Sequence, residues 1–303
     1  MRILITGGAG FIGSHLVEHF QGKASEIRVL DNLRSGYRKN LDGLDHTFIE
    51  GSITDPQVVE EAVSGVDWVF NLAALVSVPE SMERPFETVN INVKGLLNVL
   101  DSASRLGVKK VIHASSAAVY GDNPTVPKTE GMLPEPKSPY AITKLDGEYY
   151  LNLHRRPGVL DTCSFRFFNV FGPRQDPNGA YAAAVPIFIE RALAAQPITV
   201  FGDGEQTRDF IYVKDIVSAL VFGAEKSLSG TFNVGYGRQM TINDLAKRII
   251  TLTDSPSEIR HLAERPGDVK HSRASVEKLF AAGWQPAHTM DEALAATITL
   301  MRS

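Results

Sequence analysis

Tyr140 and Lys144 stand four residues apart in the stretch Ser138-Pro139-Tyr140-Ala141-Ile142-Thr143-Lys144. On an α-helix, residues i and i+4 share a face, so both side chains reach the same point. Ser138 is a good N-cap and Pro139 suits a first turn, so a helix is expected to begin here. A free phenol ionises near pH ~10 and is a poor base at neutrality. A nearby ammonium favours the phenolate and lowers that value, which makes the pair a candidate acid/base unit. A surface tyrosine beside a solvated lysine has the same spacing, so the rest of the chain must decide.

The elements that would position this pair begin at the N-terminus. Arg2-Ile3-Leu4-Ile5-Thr6 reads as a strand buried on both faces. It runs into Gly7-Gly8-Ala9-Gly10-Phe11-Ile12-Gly13 and then a helical pattern with Leu16, Val17 and Phe20. Strand, glycine turn and helix form the opening of a dinucleotide-binding fold. The glycines let the backbone approach a pyrophosphate, and the helix N-terminus offers free N–H groups to it. The next strand, Ile27 to Leu30, ends at Asp31, where an acid accepts bonds from the adenosine ribose hydroxyls and repels a 2′-phosphate. NAD is therefore expected over NADP. Arg34 and Arg38 keep NADP open but read more simply as solvated loop charge.

Further strands are expected at 46–50, 68–72 and 111–114, with helices near 56–63 and 88–106. This alternation implies an α/β fold, a Rossmann-type doubly wound parallel sheet. Gly51-Ser52-Ile53 and Leu72-Ala73-Ala74 fall at strand ends, where such sheets bind ligands. Ser115 and Ser116 end the 111–114 strand and could bring a hydroxyl beside Tyr140, or merely cap a turn. The Pro- and charge-rich stretch 122–137 reads as an exposed excursion. The composition shifts after 170. Residues 1–170 are expected to form the NAD-binding domain, with 210–236 packing back onto it, and 171–303 a smaller C-terminal α/β substrate lobe.

Bulk properties exclude several classes. The 303 residues are 43% hydrophobic and 22% charged, as for a soluble globular protein. A net charge of −4 gives no basic field for nucleic acid, and no apolar run suits a membrane. The single cysteine, Cys163, lies in an apolar stretch and forms no internal disulfide. The first residues already read as a strand, so a reducing cytoplasm is the expected setting. The eight histidines are scattered, so no metal site is expected, and His113 reads as a packed strand residue.

Taken together, these motifs resemble the extended short-chain dehydrogenase/reductases, specifically the nucleotide-sugar 4-epimerases. The resemblance runs through Gly7/Gly10/Gly13, Asp31-Asn32, Ser116 to Gly121, Tyr140/Lys144, Arg166 to Asn169, Arg208-Asp209 and Arg265 to Asp268. It implies bound NAD, a UDP-sugar substrate and a homodimer formed through helices near 92–105 and 140–155. It implies further cofactor contacts at Phe11, Ile12, Asn32, Ser35, Gly36, Asn92, Ser115 and Phe167. On the substrate side it implies Asn169, Arg208 and Arg265 at the diphosphate, Thr199-Val200-Phe201 beside the uracil and Asp268 at the uridine ribose, with Ala184, Val185 and Ser272 lining the site.

The mechanism implied by the resemblance has Tyr140, as phenolate, taking the proton of the sugar 4-hydroxyl while C4 gives hydride to NAD. Ser116 bonds the same oxygen, and Lys144 helps hold the phenolate and reaches the cofactor ribose. Related dehydratases and decarboxylases carry an acid just before Val-Tyr-Gly, where this chain has Ala117 and Ala118. Alanine donates no proton, so elimination chemistry is not expected. Val76 and Ser272 stand where galactose epimerases of the family often carry lysine and tyrosine, and the stretch 175–183 resembles UDP-N-acetylhexosamine epimerases. Both plain and N-acetylated UDP-sugars are therefore expected as substrates. The alternatives are a UDP-glucuronate 4-epimerase, which would need a partner for the C6 carboxylate, and a non-catalytic NAD-sensing regulatory protein, which would be expected to have lost Tyr140 or Lys144.

Overall fold

A computed structural model of the chain describes residues 1–177, 183–264 and 269–302. In chain order it begins with β1 (Arg2–Thr6), α1 (Phe11–His19), β2 (Glu26–Asp31), β3 (Thr47–Glu50), α2 (Pro56–Val63) and β4 (Trp68–Asn71). Then come α3 (Val78–Glu83), α4 (Pro85–Val89), α5 (Gly95–Arg105), β5 (Lys110–Ser116), α6 (Pro139–His154) and β6 (Asp161–Phe167). The remainder holds β7 (Asn169–Phe171), α7 (Ala184–Leu193), β8 (Ile198–Phe201), β9 (Thr207–Arg208), β10 (Phe210–Tyr212) and α8 (Val213–Glu225). It ends with β11 (Gly230–Val234), β12 (Met240–Thr241), α9 (Ile242–Thr253), β13 (Ile259–Leu262), α10 (Glu277–Ala281) and α11 (Met290–Arg302).

The chain divides into two compact units. The first comprises Met1–Gly121, Leu133–Phe167 and Val217–Phe232. Its seven-stranded sheet has the order β11-β6-β5-β4-β1-β2-β3, and β1 to β6 pair in parallel. The strand order reverses between β1 and β4, which is where doubly wound sheets bind ligands. The strands are buried on both faces, Ile3, Leu4, Ile5, Val69, Phe70, Val111 and Ile112 completely. That is why they read as continuous apolar runs. Cys163 is one of these buried strand residues.

The single helix expected over 88–106 is instead α4 and α5 joined by a wider π-helical turn, Asn90–Lys94. Two contacts account for the break. Asn92 turns inward, where its amide exchanges bonds with both backbone groups of Leu75 and donates to the Thr143 hydroxyl. Gly95 lies against Ile53, and a Cβ there would stand 2.5 Å from its terminal carbon. Extra residues in a turn of this kind aim a side chain that a regular helix would misplace.

The second unit comprises Asp122–Met132, Phe168–Ile216 and Asn233–Ser303. It is built on short pairs, β7 with β10, β9 with β12 and β8 with β13. The stretch 122–137 is not a free excursion. Lys128 is buried, its N–H donates to Arg273 O, and its carbonyl accepts from Ser275 N and from the Asn233 amide. Those long-range bonds carry 122–132 into this unit. Asp209 is its buried brace. The carboxylate accepts N–H bonds from Tyr236 at 2.7 Å, Gly237 at 3.0 Å and Ala274 at 2.9 Å, joining three segments. Among the described residues no helix is long and apolar enough to cross a membrane.

Burial pushes the Asp209 carboxyl up from 3.8 to about 6, against the pull of its three backbone donors. The folded chain therefore holds this proton to higher pH than the unfolded chain does. The stabilisation this provides is full below about pH 4 and is lost as pH rises to about 6, by about 3 kcal/mol. Asp209→Asn removes the titration. Denaturant unfolding at pH 4 and pH 7 is expected to show wild type losing about 3 kcal/mol relative to the variant. A difference independent of pH would contradict the assignment.

Candidate active site

In the first unit the β1–α1 turn is shaped by close backbone approach. Gly7 has φ +70°, and a Cβ on it would meet Ala73 N at 2.8 Å. A Cβ on Gly13 would stand 2.2 Å from Gly7 O. These contacts bring the carboxyl ends of β1 and β4 together, with Leu72, Ala73 and Ala74 half-buried beside the turn. Thr6 locks the junction, accepting from Ala73 N and donating to the buried Asn71. The α1 N-cap is Gly10, with no side chain capping the first turn, so its N–H groups suit a phosphate.

Asp31 is buried at the end of β2. One oxygen accepts from Ala9 N at 3.0 Å and the other from Leu33 N at 2.8 Å. Each oxygen keeps a second lone pair for a ribose hydroxyl. Burial raises its pKa, and the two backbone bonds oppose the rise. Gly36 packs on Ala9, while Asn32 and Ser35 are exposed in the same loop. Arg34 and Arg38 are exposed loop charges, as expected, and each is also paired. Arg34 is paired with Glu80 and Glu87, and Arg38 with Glu50 while lying 4.1 Å from the Phe48 ring centroid. Both are committed elsewhere and, beside Asp31, leave no cation set aside for a 2′-phosphate. The cradle fits NAD.

Ser138 caps α6 by accepting from Ala141 N, and the helix starts at Pro139. The Ser116 hydroxyl faces the Tyr140 phenol and favours its anion. Phe167 is Ser116's register partner across β5 and β6. Lys144 is buried beneath the pair, donating to Ala114 O at 2.7 Å, with Nζ 5.7 Å from the Tyr140 ring centroid. Two of its three protons remain for other acceptors.

The electrostatics differ from the expectation that Lys144 lowers the phenol. Burial raises the Tyr140 pKa, and only the Ser116 hydroxyl opposes it. Burial also pulls Lys144 down to about 8. The low-dielectric setting that would strengthen their attraction first penalises both charges. His113 is a buried strand residue, as expected. Its Nδ1 lies 3.2 Å from Asn71 Nδ2, and burial, then the Lys144 charge, hold it well below its ordinary pKa. Its Nε2 meets Gly147, where a Cβ would stand 2.7 Å away, so α6 can approach β5 closely only because that residue is glycine.

Several of the residues expected at the cofactor also make contacts within the chain. The Asn92 amide bonds to Leu75 and Thr143 and braces the loop after β4. The Ser52 hydroxyl pairs with Thr54, and the Ile53 side chain belongs to the core. Phe11 and Ile12 are half-buried at the start of α1. The Ser115 hydroxyl donates to Glu148, a residue the sequence reading did not single out. Glu148 lies one turn beyond Lys144 on the same helix face, which was its available signal.

The second unit gathers its own set. Asn169 donates through its N–H and its amide to Asp209 O, beside Arg208. Ser272 N donates to Thr207 O, and the Gln206 amide ties this segment to Phe201 O. Val185 and Val200 are core side chains, while Ala184, Thr199 and Phe201 are half-buried. Arg265 and Asp268 lie outside the described residues, as does part of the 175–183 stretch. Among the described residues no cluster of His, Cys, Asp and Glu could hold a metal ion.

Comparison with known proteins gives this arrangement a context. Residues 3–235 match the NAD dependent epimerase/dehydratase family. A UDP-glucose 4-epimerase of Mycolicibacterium smegmatis is 37% identical over 311 aligned positions, covering 100% of this chain and 99% of the relative. The structure of a UDP-N-acetylglucosamine 4-epimerase from Methanobrevibacter ruminantium, in complex with UDP-N-acetylmuramic acid, superposes with a TM-score of 0.95 at 40% identity, covering 99% and 98% of the two chains. A UDP-N-acetyl-alpha-D-glucosaminuronate decarboxylase of Bacillus cytotoxicus is 38% identical over 262 positions, covering 83% and 80%.

The tight Gly13 contact makes a direct prediction. Gly13→Ala forces the β1–α1 turn apart and is expected to weaken NAD retention at least about tenfold, an effect of about 1.4 kcal/mol. The dinucleotide released on denaturation, counted per chain, measures it. Wild-type stoichiometry in the variant would contradict the cradle described here.

Proposed function

The chain belongs to the NAD-dependent epimerase/dehydratase family, and from that premise we propose that it is a UDP-sugar 4-epimerase. Its substrates are UDP-glucose and UDP-galactose together with their N-acetylamino forms. The observation that carries the reading is that β5 and α6 bring Ser116 and Tyr140 together beside the buried Lys144, which donates to Ala114 O. Bound NAD supplies the oxidant that accepts the C4 hydride and gives it back. Tyr140, once ionised, takes the proton of the sugar 4-hydroxyl, and a 4-keto sugar results. With substrate bound, the single Ser116 proton turns from the phenol to the same sugar oxygen and holds it at Tyr140. Return of the proton from Tyr140, with hydride on the opposite face, inverts C4 with no net redox change. General base help of this kind is worth ~10²–10⁴-fold.

Asn169 and Arg208, beside the Asp209 brace, are offered to the diphosphate, where a planar guanidinium suits phosphate oxygens. Ser272 is small where a tyrosine would fill the sugar site, and the M. ruminantium protein is named for an N-acetylated substrate. The decarboxylase relative does not redirect the reading, because Ala117 and Ala118 supply no acid before Val119-Tyr120-Gly121.

An apolar strip on the first unit supports self-association. Met82, Phe86, Val89, Ile142, Tyr149 and Leu153 of α3, α4 and α6 are exposed, Phe86 at 90%. The outward face of α5 is instead polar, with Asp101 and Glu60 paired to Arg105. Exposed apolar surface of this kind marks an interface, and a second copy of the chain is the proposed occupant. The proposed contact uses α6, one of the two helices expected, together with α3 and α4.

Two experiments test these readings. A coupled assay on separate UDP-sugars is expected to show interconversion of the glucose/galactose pair and of the N-acetylated pair. Tyr140→Phe is expected to lose at least about 10²-fold in kcat while keeping NAD. Near-normal turnover in that variant would refute the role of Tyr140, and an untouched UDP-N-acetylglucosamine would refute the broad pocket. For assembly, Phe86→Glu with Leu153→Glu is expected to give monomers in sedimentation, and unchanged mass would exclude the strip.

A further inference from the structure

The short turn carrying Ser116 is held at both ends by one buried ion pair. Glu148 of α6 and Arg166 of β6 form a two-pronged contact, Nε to Oε1 at 2.8 Å and Nη2 to Oε2 at 2.6 Å. Both side chains are 5% exposed. The pair reaches in two directions. The Ser115 hydroxyl donates to Glu148 Oε1 at 2.6 Å. Arg166 Nη1 donates to the Tyr120 hydroxyl at 2.9 Å, and its guanidinium lies 4.8 Å from that ring's centroid. Between these anchors, Ser116 has extended backbone and accepts from Ala118 N at 3.1 Å, capping a 3₁₀ turn over Ala117–Tyr120. The first residue before Ser116 and the last residue of its turn are thus both tied to one pair.

The other partner of that pair is the helix that carries Tyr140. Glu148 stands two turns past Tyr140 and one past Lys144 on the inward face of α6. Burying an ion pair is often no more stabilising than packing apolar side chains of the same size. Stability alone therefore gives weak reason for placing these charges here, whereas their hydrogen bonds go to the two ends of the Ser116 turn.

Resting on the reading of Ser116 and Tyr140 given above, we propose that Glu148 and Arg166 are positioning residues. Their ion pair fixes the Ser115–Tyr120 turn against α6 and so sets where the Ser116 hydroxyl stands relative to Tyr140. The pair touches neither reacting atom. It acts through Ser116, whose hydroxyl oxygen has to lie about 2.7 Å from the phenol oxygen to donate well.

The test removes both charges together, because deleting one would leave the other buried and unpaired. In Glu148→Met/Arg166→Met, kcat is expected to fall about 10–100-fold with KM within about twofold, the signature of a contact used only in the transition state. The second readout needs no turnover. The ultraviolet absorbance of the phenolate is titrated, and the same protein carrying Tyr140→Phe is subtracted to isolate Tyr140. Loss of an aligned Ser116 donor is expected to move that titration upward. Wild-type kcat and an unmoved titration in the folded double variant would overturn the proposal.

If the double variant does not fold, Tyr120→Phe decides, since it keeps the ion pair and removes the hydroxyl that Arg166 holds. A fall in kcat with an upward titration supports the proposal, and wild-type values of both overturn it. Wild type inactive on every UDP-sugar would count against the epimerase reading alone, because the titration is read without catalysis.

Discussion

The approach of α6 to β5 is the constraint on which the rest of the first unit depends. Three residues on two successive turns of the helix meet the strand through different physics. Lys144 donates to Ala114 O, Gly147 lies bare against His113, and Glu148 accepts from Ser115. Two hydrogen bonds and a missing Cβ together set one distance. Side chains on an inward helix face usually hold neighbouring layers apart by their own bulk. Here the bulk is removed at residue 147, so polar atoms on either side of it can reach the strand. The carbonyl of Ala114 and the hydroxyl of Ser116 are then presented to Lys144 and Tyr140 from a single strand end.

The same device recurs where the sheet meets its ligand-binding turn. Gly7 lets β1 end against Ala73, and Gly13 lets α1 start over Gly7. Asp31 then bridges to Ala9 and Leu33, so the turn, β2 and its loop form one body. Backbone contacts of this kind leave few soft side chains to absorb a displacement. The cost is carried by buried polar groups that need exact partners, and a buried donor or acceptor without one costs on the order of 1–3 kcal/mol. Thr6, Asn71 and Asn92 meet that need by bonding to strand-end backbone and to one another.

Much of this was legible in the sequence because its signals are local. The Tyr140–Lys144 spacing and the glycine spacing report positions on one helix or one turn, and the apolar strand runs report burial on both faces. What was not legible depends on partners far apart in the chain. Nothing local says that Asp122–Met132 is captured by Asn233 and by the segment around Arg273–Ser275, or that Asn92 needs a π-helical turn to reach Leu75. Arg166 stood out as part of a motif, but its partner Glu148 is 18 residues away on another element. The ion-pair partners of the exposed Arg34 and Arg38 were not legible because their carboxylates come from different segments.

The site's charges are better understood as a competition than as a sum. One buried space holds a phenol, an ammonium and an imidazole. Burial alone pushes each toward its neutral form, and the shifts of Tyr140, Lys144 and His113 all run that way. At neutral pH Lys144 keeps its proton with little to spare, since its value of about 8 lies close by. Its charge is directed at Ala114 O, and its distance from the ring is too long for a direct bond to the phenol oxygen to be inferred from it. The group that favours the Tyr140 anion by direct contact is a neutral hydroxyl, Ser116. A neutral donor adds no desolvated charge of its own, so its effect depends on alignment and very little on pH. Acid/base competence in this fold is therefore set chiefly by where a strand end is held, and the electrostatics follow from that placement.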